Sequence, residues 1–362
     1  MKKILCLIDT LGPGGAERQM VGLAKLLRQK GYHVDLVTYY KHNFYSELID
    51  QYGIRQLTLR VSKSPLSKLM AVRRYIKGSG GYDWVIAYKV GPCMIGSLLR
   101  LMGMKFKLIV SERNTTQVIG RKEKVQFWLY RYADYVVPNS HSQAIFVKEH
   151  FPWLKDKTFT ITNFTDTDSF TANYTVAGST RKILTTARVA RQKNILRYLE
   201  AIALLRDRGA DNLHFDWYGD IREGQEEYGE QVFKKVEELK LQDMITFHPA
   251  TTHIVEYYQT CDVFCLPSNY EGFPNVICEA MSCGKPIVCS RVCDNPYIIK
   301  EGENALMFDN ANVEDMADKI QHICDMPQDE LTSWGKRSRE LAESMFSTES
   351  FVNKYIKLIE NI

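Results

Sequence analysis

The sequence predicts an α/β protein built from two doubly wound, Rossmann-like domains in tandem, facing each other across a cleft. Three observations predict it. Through the first half, short apolar runs alternate with helical patterns, the order that a parallel sheet covered by helices requires. The same rhythm restarts after about residue 165. The chain has 362 residues, 45% of them hydrophobic, which suits two cores of roughly 150 residues each.

The elements follow in order. KKILCLI is a first strand, cut off at Asp9. The glycine-rich turn LGPGGAER leaves it and opens AERQMVGLAKLLRQKG, in which Met20, Leu23, Ala24 and Leu27 share one helical face and Gly31 supplies the stop. YHVDLVTYY is the next strand, and WVIAY, FKLIVS and YVVPNS supply later ones. Among them lie two basic amphipathic segments, SKLMAVRRYIK and GRKEKVQFWLYRYAD. In the second, Val125, Trp128, Leu129 and Tyr132 share a face, which predicts a core-facing stripe. The competing reading is contact with an anionic membrane or a lipid-phosphate acceptor. TITNFTDTDSFTANY is the expected linker. KILTTAR, LHFDWYG, ITFHP, VFCLP and PIVCS are the strands of the second half, with NILRYLEAIALLRDRG, a charged segment at about 225–240 and the segment after Pro274 as helices. STESFVNKYIKLIENI ends the chain as an amphipathic helix through Phe351, Tyr355 and Leu358. The expected domains are residues 1–165 and 166–345, followed by the helix 346–362.

Composition narrows the function. The longest apolar stretch, 94–110, is interrupted by Arg100, Lys105 and Lys107, so no bilayer span is expected. The apolar run after Lys2 and Lys3 ends at Asp9, too early for a secretory signal. Nine cysteines in no disulfide-rich framework suit a reduced, cytoplasmic setting. Charge is split between the halves. Residues 1–165 carry 26 Lys and Arg against 11 Asp and Glu, while the remainder carries 21 against 32. The basic half should attract anionic partners, such as a membrane surface on which the protein would sit peripherally.

Several motifs carry chemistry. Gly12 and Gly14 begin a G-x-G-x-x-G spacing, but Glu17 holds its third place and no acid ends the second strand, so a nicotinamide fingerprint is excluded. Backbone N–H groups in this turn can still hold a phosphate; the plainer reading is a tight turn. Gly284-Lys285 is followed by Pro286, which excludes a Walker loop. Arg188 and Lys193 flank the turn after the first strand of the second half, where open α/β sheets bind ligands. A forked guanidinium and a mobile ammonium together suit a diphosphate, against the plainer reading of solvated surface. Asp166 and Asp168 resemble a metal pair but fall in the linker, so no metal is expected there. The cysteines from Cys261 to Cys293 lack metal-ligand spacing and read as small buried hydrophobes. Finally, Glu271 and Glu279 stand eight residues apart around a helix start, with Pro274 expected at its first position and Gly284 near its end. Carboxylates accept several hydrogen bonds each, and two of them beside a helix N-terminus describe a pocket for a hydroxyl-rich, phosphorylated ligand.

These residues resemble a known family. EGFPNVICEAMSCGKPIV resembles the E-x7-E signature of retaining glycosyltransferases, specifically family 4 of the GT-B fold. GPGGAER, ITNFTDTDSF, ARVARQKN and VFCLPSNYEGFP resemble further segments of that family in the same order, so the likeness spans nearly the whole chain. It implies that Glu271 addresses the donor sugar and Glu279 the ribose. Arg188 and Lys193 would bind the diphosphate, and Gly272, Phe273, Pro274 and Asn275 would line the sugar and phosphate site. On the acceptor side, Gly14 and Gly15 would close over phosphate or acceptor. Glu112 and Arg113, in IVSERN, stand where the family often has a histidine. Phe164 replaces a usual glycine, Ala187 and Val189 flank Arg188 in place of Gly and Leu, and Asp220 ends FDWYGD where a glycine-rich turn is common.

The resemblance implies transfer of a hexose, with retention, from a UDP- or GDP-sugar to a glycan or lipid-linked acceptor in polysaccharide or glycolipid biosynthesis, such as lipopolysaccharide or capsule. It implies no cofactor, no metal and no nucleic-acid partner, and a last helix that crosses back to the first domain. A nucleotide-sugar epimerase and a non-catalytic glycan- or membrane-binding protein are the competing readings. The first lacks the combination of two glutamates, arginine and lysine; the second does not need all four.

Overall fold

The runs with the most continuous apolar character become the central strands. WVIAY and ILCL are buried at every position, as strands covered by helices on both faces must be. The computed structural model describes residues 2–12, 14–41, 44–113, 116, 118–174 and 178–361. The chain divides into two units, Met1–Phe164 with Glu349–Ile362, and Thr165–Thr348.

The first unit runs β1 (Lys3–Leu7), α1 (Gly15–Gln29), β2 (His33–Thr38), α2 (Ser46–Gln51), β3 (Arg55–Thr58), α3 (Pro65–Gly78), β4 (Trp84–Tyr88), α4 (Val90–Leu101), β5 (Lys107–Ser111), α5 (Arg121–Leu129), β6 (Tyr135–Val136) and α6 (His141–His150). Its strands are all parallel, in the order β3-β2-β1-β4-β5-β6. The chain therefore reverses its direction of winding between β1 and β4, and that switch point opens a crevice at their carboxyl ends. β3 escapes the sequence pattern because RQLT has a single apolar residue. It is an edge strand on β2, and Thr58 shares a 2.9 Å hydroxyl contact with Thr38.

The second unit contains β7 (Arg181–Thr186), α7 (Ile195–Asp207), β8 (Leu213–Tyr218), α8 (Glu226–Glu238), β9 (Ile245–His248), α9 (Ile254–Thr260), β10 (Val263–Leu266), α10 (Asn275–Ser282), β11 (Ile287–Ser290), α11 (Asn295–Ile298), β12 (Ala305–Phe308), α12 (Val313–Asp325) and α13 (Gln328–Phe346). Its parallel strands are ordered β12-β11-β10-β7-β8-β9, so the switch point lies between β7 and β10. β12 is the second strand missing from the sequence reading: four residues just after the left-handed turn at Gly302 are too few to show a period.

The last helix, α14 (Thr348–Glu360), packs into the core of the first unit through Phe351, Val352, Tyr355 and Ile359. Leu358, expected on the same stripe, is only half-buried. Burying each such side chain contributes about 1.5–3 kcal/mol. The exposed Lys30–Glu349 ion pair at the helix start contributes at most about 1 kcal/mol, so packing holds α14 in place. The tyrosine hydroxyls of Tyr88 and Tyr355 meet at 2.8 Å beneath it. Phe164 has a packing reason of its own. Its ring fills the notch at Gly22 on α1, where a Cβ would come within 2.3 Å of the ring, and it packs on Phe351 at 5.0 Å.

The α5 stripe differs from expectation. Phe127, Leu129 and Tyr130 face the core, whereas Val125 and Trp128 are exposed. The segment buries the face carrying Phe127 and Tyr130; of the expected stripe only Leu129 is buried, Tyr132 is half-buried, and Val125 and Trp128 are exposed. Among the described residues, no helix is long and apolar enough to cross a membrane.

Candidate active site

In the second unit, two loops flank the switch point: residues 187–194 after β7 and residues 267–274 after β10. Polar side chains stitch them together. Asn269 donates its backbone N–H to Gln192 O at 2.8 Å and its amide to Arg191 O at 3.1 Å. Gln192 donates to Tyr270 O at 2.9 Å, and Asn310 donates to Asn269 at 3.0 Å. Asn194, in the left-handed region at φ 57°, ends the first loop and donates to Asn310 O. Asparagine tolerates that conformation better than most residues.

This stitching brings Lys193 against Glu271. The ammonium lies 2.6 Å from Oε1, with the side chains only 13% and 9% exposed. Ser268 donates to the same oxygen at 2.6 Å, and the Glu271 backbone N–H reaches Cys293 Sγ at 3.3 Å. A carboxylate oriented in this way by a lysine and a serine is a group that accepts hydrogen bonds from hydroxyls. Arg188 is exposed on the same loop. The backbone beneath it is pinned by Val189 N donating to Asp220 O at 2.9 Å. Gly219, at φ 152°, is what lets β8 end so close: a Cβ there would lie 2.2 Å from Ala187 O. Asp220 also accepts from Ala250 N, so this acid serves the turn geometry.

Pro274 is the residue before α10 and not its first helical residue; the helix starts at Asn275. Gly284 follows its end in the left-handed region at φ 72°. Gly272 and Asn275 are half-buried, and Phe273 is anchored edge-on against Phe346 at 5.9 Å. Glu279 lies in the first turns of α10, buried, and accepts from Tyr258 at 3.2 Å. That phenol also meets Thr186 Oγ1 at 2.6 Å. Burial, with the Glu279 carboxylate next to it, pushes the Tyr258 phenol well above its ordinary pKa, so it stays a proton donor. Asp166 closes its own turn, accepting from Asp168 N, Ser169 N and Ser169 Oγ.

The first-unit candidates divide. Glu112 turns inward: it is 2% exposed and accepts from Tyr130 and, at 3.1 Å, from Gln126. Burial pushes its pKa up to about 7, against those two hydrogen bonds, which pull it down. Its carboxyl thus serves the interior of the unit. Arg113 stacks 3.7 Å from the Tyr88 ring centroid and donates to Asn163 at 2.7 Å and to Tyr355 at 3.0 Å, tying β5 to the linker and α14.

Gly14 caps α1 and Gly15 opens it. The space above them is taken by Glu17, whose carboxylate would be 2.3 Å from a Cβ on Gly14. Glu17 pairs with Lys89 at 2.5 Å, and Lys89 pairs with Asp9 at 3.0 Å. Burial lowers the Lys89 pKa, but the two carboxylates outweigh it and raise it, keeping the ammonium charged. With Lys89 held between them, Glu17 and Asp9 give this crevice carboxylate oxygens that can accept hydrogen bonds from hydroxyls. Asp9 was read from the sequence only as the end of the first strand, and Lys89 was not singled out. Their signal was their place just after the two strands flanking the switch point, which requires the strand order to see.

Two family models tile most of the chain: "Glycosyltransferase Family 4" matches residues 13–169 and "Glycosyl transferases group 1" matches residues 166–341. The chain is 25% identical over 338 residues to an uncharacterized glycosyltransferase of Haemophilus influenzae, covering 91% of this chain and 92% of that one. It is 24% identical over 307 residues to the N-acetylgalactosamine-N,N'-diacetylbacillosaminyl-diphospho-undecaprenol 4-alpha-N-acetylgalactosaminyltransferase of Campylobacter jejuni, covering 80% and 81%. In structure it is similar to Anabaena HepE in complex with UDP, with a TM-score of 0.86 at 18% identity over 99% of this chain and 100% of the other.

Proposed function

The chain belongs to the family 4 glycosyltransferases of the GT-B fold, and from that premise we propose a retaining, metal-independent transfer of a hexose from a UDP- or GDP-sugar to a lipid-linked glycan. The observation that carries the proposal is the Lys193–Glu271 pair at the switch point of the second unit. One partner is suited to a diphosphate and the other to the sugar attached to it.

In this reading, Arg188 and Lys193 take up the negative charge that grows on the diphosphate as the bond from the sugar C1 to the phosphate oxygen breaks. Glu271 holds the sugar, and Glu279, fixed by Tyr258, addresses the ribose. The incoming hydroxyl bonds to C1 on the face the diphosphate leaves, and its proton passes to the departing phosphate oxygen. That exchange needs no protein nucleophile and balances in charge and atoms. In the first unit, the Asp9–Lys89–Glu17 crevice favours a hydroxyl-bearing acceptor. The acceptor class is supported by the Campylobacter relative, whose name specifies an undecaprenol diphosphate-linked substrate, and by the basic first half, which suits an anionic lipid surface.

Thermal melting in the presence of a panel of UDP-, GDP- and ADP-sugars checks the reading. A UDP- or GDP-sugar should raise the melting temperature, and EDTA should leave that rise unchanged. Stabilisation by no nucleotide sugar, or only with a divalent cation, would count against it.

A further inference from the structure

The segment YHVDLVTYY outlasts its strand: β2 stops at Thr38, and Tyr39 and Tyr40 leave the sheet at its carboxyl end. That is the end at which open α/β sheets take ligands. Both backbone N–H groups donate to Asp9 O, at 3.2 and 2.9 Å, which ties the two tyrosines to the residue just after β1. The carboxylate of Asp9 meets Lys89 in the crevice at the first unit's switch point. Lys89 itself sits in the left-handed region at φ 70°, a conformation a lysine keeps only when its surroundings impose it.

The two rings differ in setting. Tyr39 is buried, and its hydroxyl faces the start of α4, where a Cβ on Gly91 would lie 3.4 Å from it. Burial, with the Asp9 carboxylate acting in the same direction, raises the Tyr39 pKa, so the phenol stays protonated. Tyr40 is 45% exposed and yet held in place. Lys68, from α3, donates to its hydroxyl at 2.6 Å, and the Tyr39 ring meets it at 5.6 Å and 76°. The Lys68 ammonium, 4.7 Å from the Tyr40 ring centroid, therefore anchors the hydroxyl end of the ring. An aromatic face fixed before a ligand arrives loses little freedom on binding.

We infer that Tyr40 is the platform on which a sugar ring of the acceptor stacks, while the carboxylates of the Asp9–Lys89–Glu17 crevice accept from its hydroxyls. The inference rests on the proposed glycan acceptor and assigns recognition to the acceptor's sugar rather than to its lipid. A pyranose has hydroxyls around its rim and C–H bonds on its faces. The electron-rich face of a tyrosine attracts those C–H bonds, and carboxylates take the hydroxyls. An acyl chain would use the ring and leave the carboxylates without a partner from the ligand.

Saturation-transfer NMR on the full chain, with the methyl glycosides of glucose, galactose, N-acetylglucosamine and N-acetylgalactosamine as probes, tests it. At least one probe should receive saturation, strongest at the C–H protons of one ring face. Tyr40→Ala should weaken that binding about 5-fold, whereas Tyr40→Phe, which keeps the ring, should stay within about 2-fold of wild type. Thermal melts confirm that both variants are folded. Binding of no probe, or equal binding to wild type and Tyr40→Ala, overturns the inference. So does an equal loss in both variants, because the hydroxyl and not the ring face would then hold the sugar. A signal that Glu271→Ala removes and Tyr40→Ala leaves comes from the donor site and overturns it too. Stabilisation of the wild type by a nucleotide sugar is read in parallel: its absence counts against the proposed function, and a glycoside failure in its presence counts against the platform alone.

Discussion

Glu271→Ala lowers the rate of sugar transfer, or of donor hydrolysis when water is the acceptor, by about 10³-fold. Two effects combine. The substitution removes the carboxylate proposed to hold the donor sugar, and it strips Lys193 of its 2.6 Å partner in a setting where that side chain is 13% exposed. An ammonium left in so little solvent relaxes away from the position where it would meet the diphosphate, and breaking such a pair costs about 3 kcal/mol. Ser268 Oγ loses its acceptor as well. Glu271→Gln keeps the shape and the serine hydrogen bond but not the charge, and should fall between the two. Initial rates with a saturating nucleotide sugar measure both variants. Alanine within about 5-fold of wild type would leave the pair a purely structural link between the loops.

Gly219→Ala has the largest expected effect on stability, about 3 kcal/mol or more. Its φ of 152° disfavours any side chain, and the new Cβ would meet Ala187 O at 2.2 Å and Ala187 C at 2.6 Å, backbone atoms that cannot step aside alone. The carbonyl that must move is also the acceptor for Trp217 Nε1 at 2.7 Å, in the core of the second unit. Arg188 follows that carbonyl in the chain, so donor affinity should fall with stability. Gly224→Ala is the internal comparison, because Gly224 has a φ of 77° but no atom within 4 Å of a built Cβ. It should cost only about 1 kcal/mol. Equal denaturation midpoints for the two variants would show that the β7–β8 approach is not tight.

Legibility in the sequence followed how local each feature is. ILCL and WVIAY announced buried strands because every position is apolar, and both sheets could be read from such runs. RQLT could not, because an edge strand is defined by its neighbour β2 and not by its own pattern. The α5 stripe failed for a related reason. Phe127 and Tyr130 compete with Val125 and Trp128 for the core, and helical spacing alone does not choose the face. In the site, Lys193 and Glu271 were each legible as residue types at strand ends, but their pairing across 78 positions depends on β7 and β10 lying side by side. Glu112 misled because a polar residue after a strand looks like a ligand-facing one; Tyr130 and Gln126, which claim it from α5 and the turn after it, are 18 and 14 positions away. Glu17 was noticed only as a missing glycine, whereas in the fold it fills the space that the glycine loop opens.

The central claim, donor turnover with retention, is tested most directly by following hydrolysis of α-linked UDP- and GDP-hexoses in real time by proton NMR. A sugar from this panel should be released first as the α-anomer, before mutarotation, and Glu271→Ala should abolish the release. Initial release of the β-anomer would contradict it.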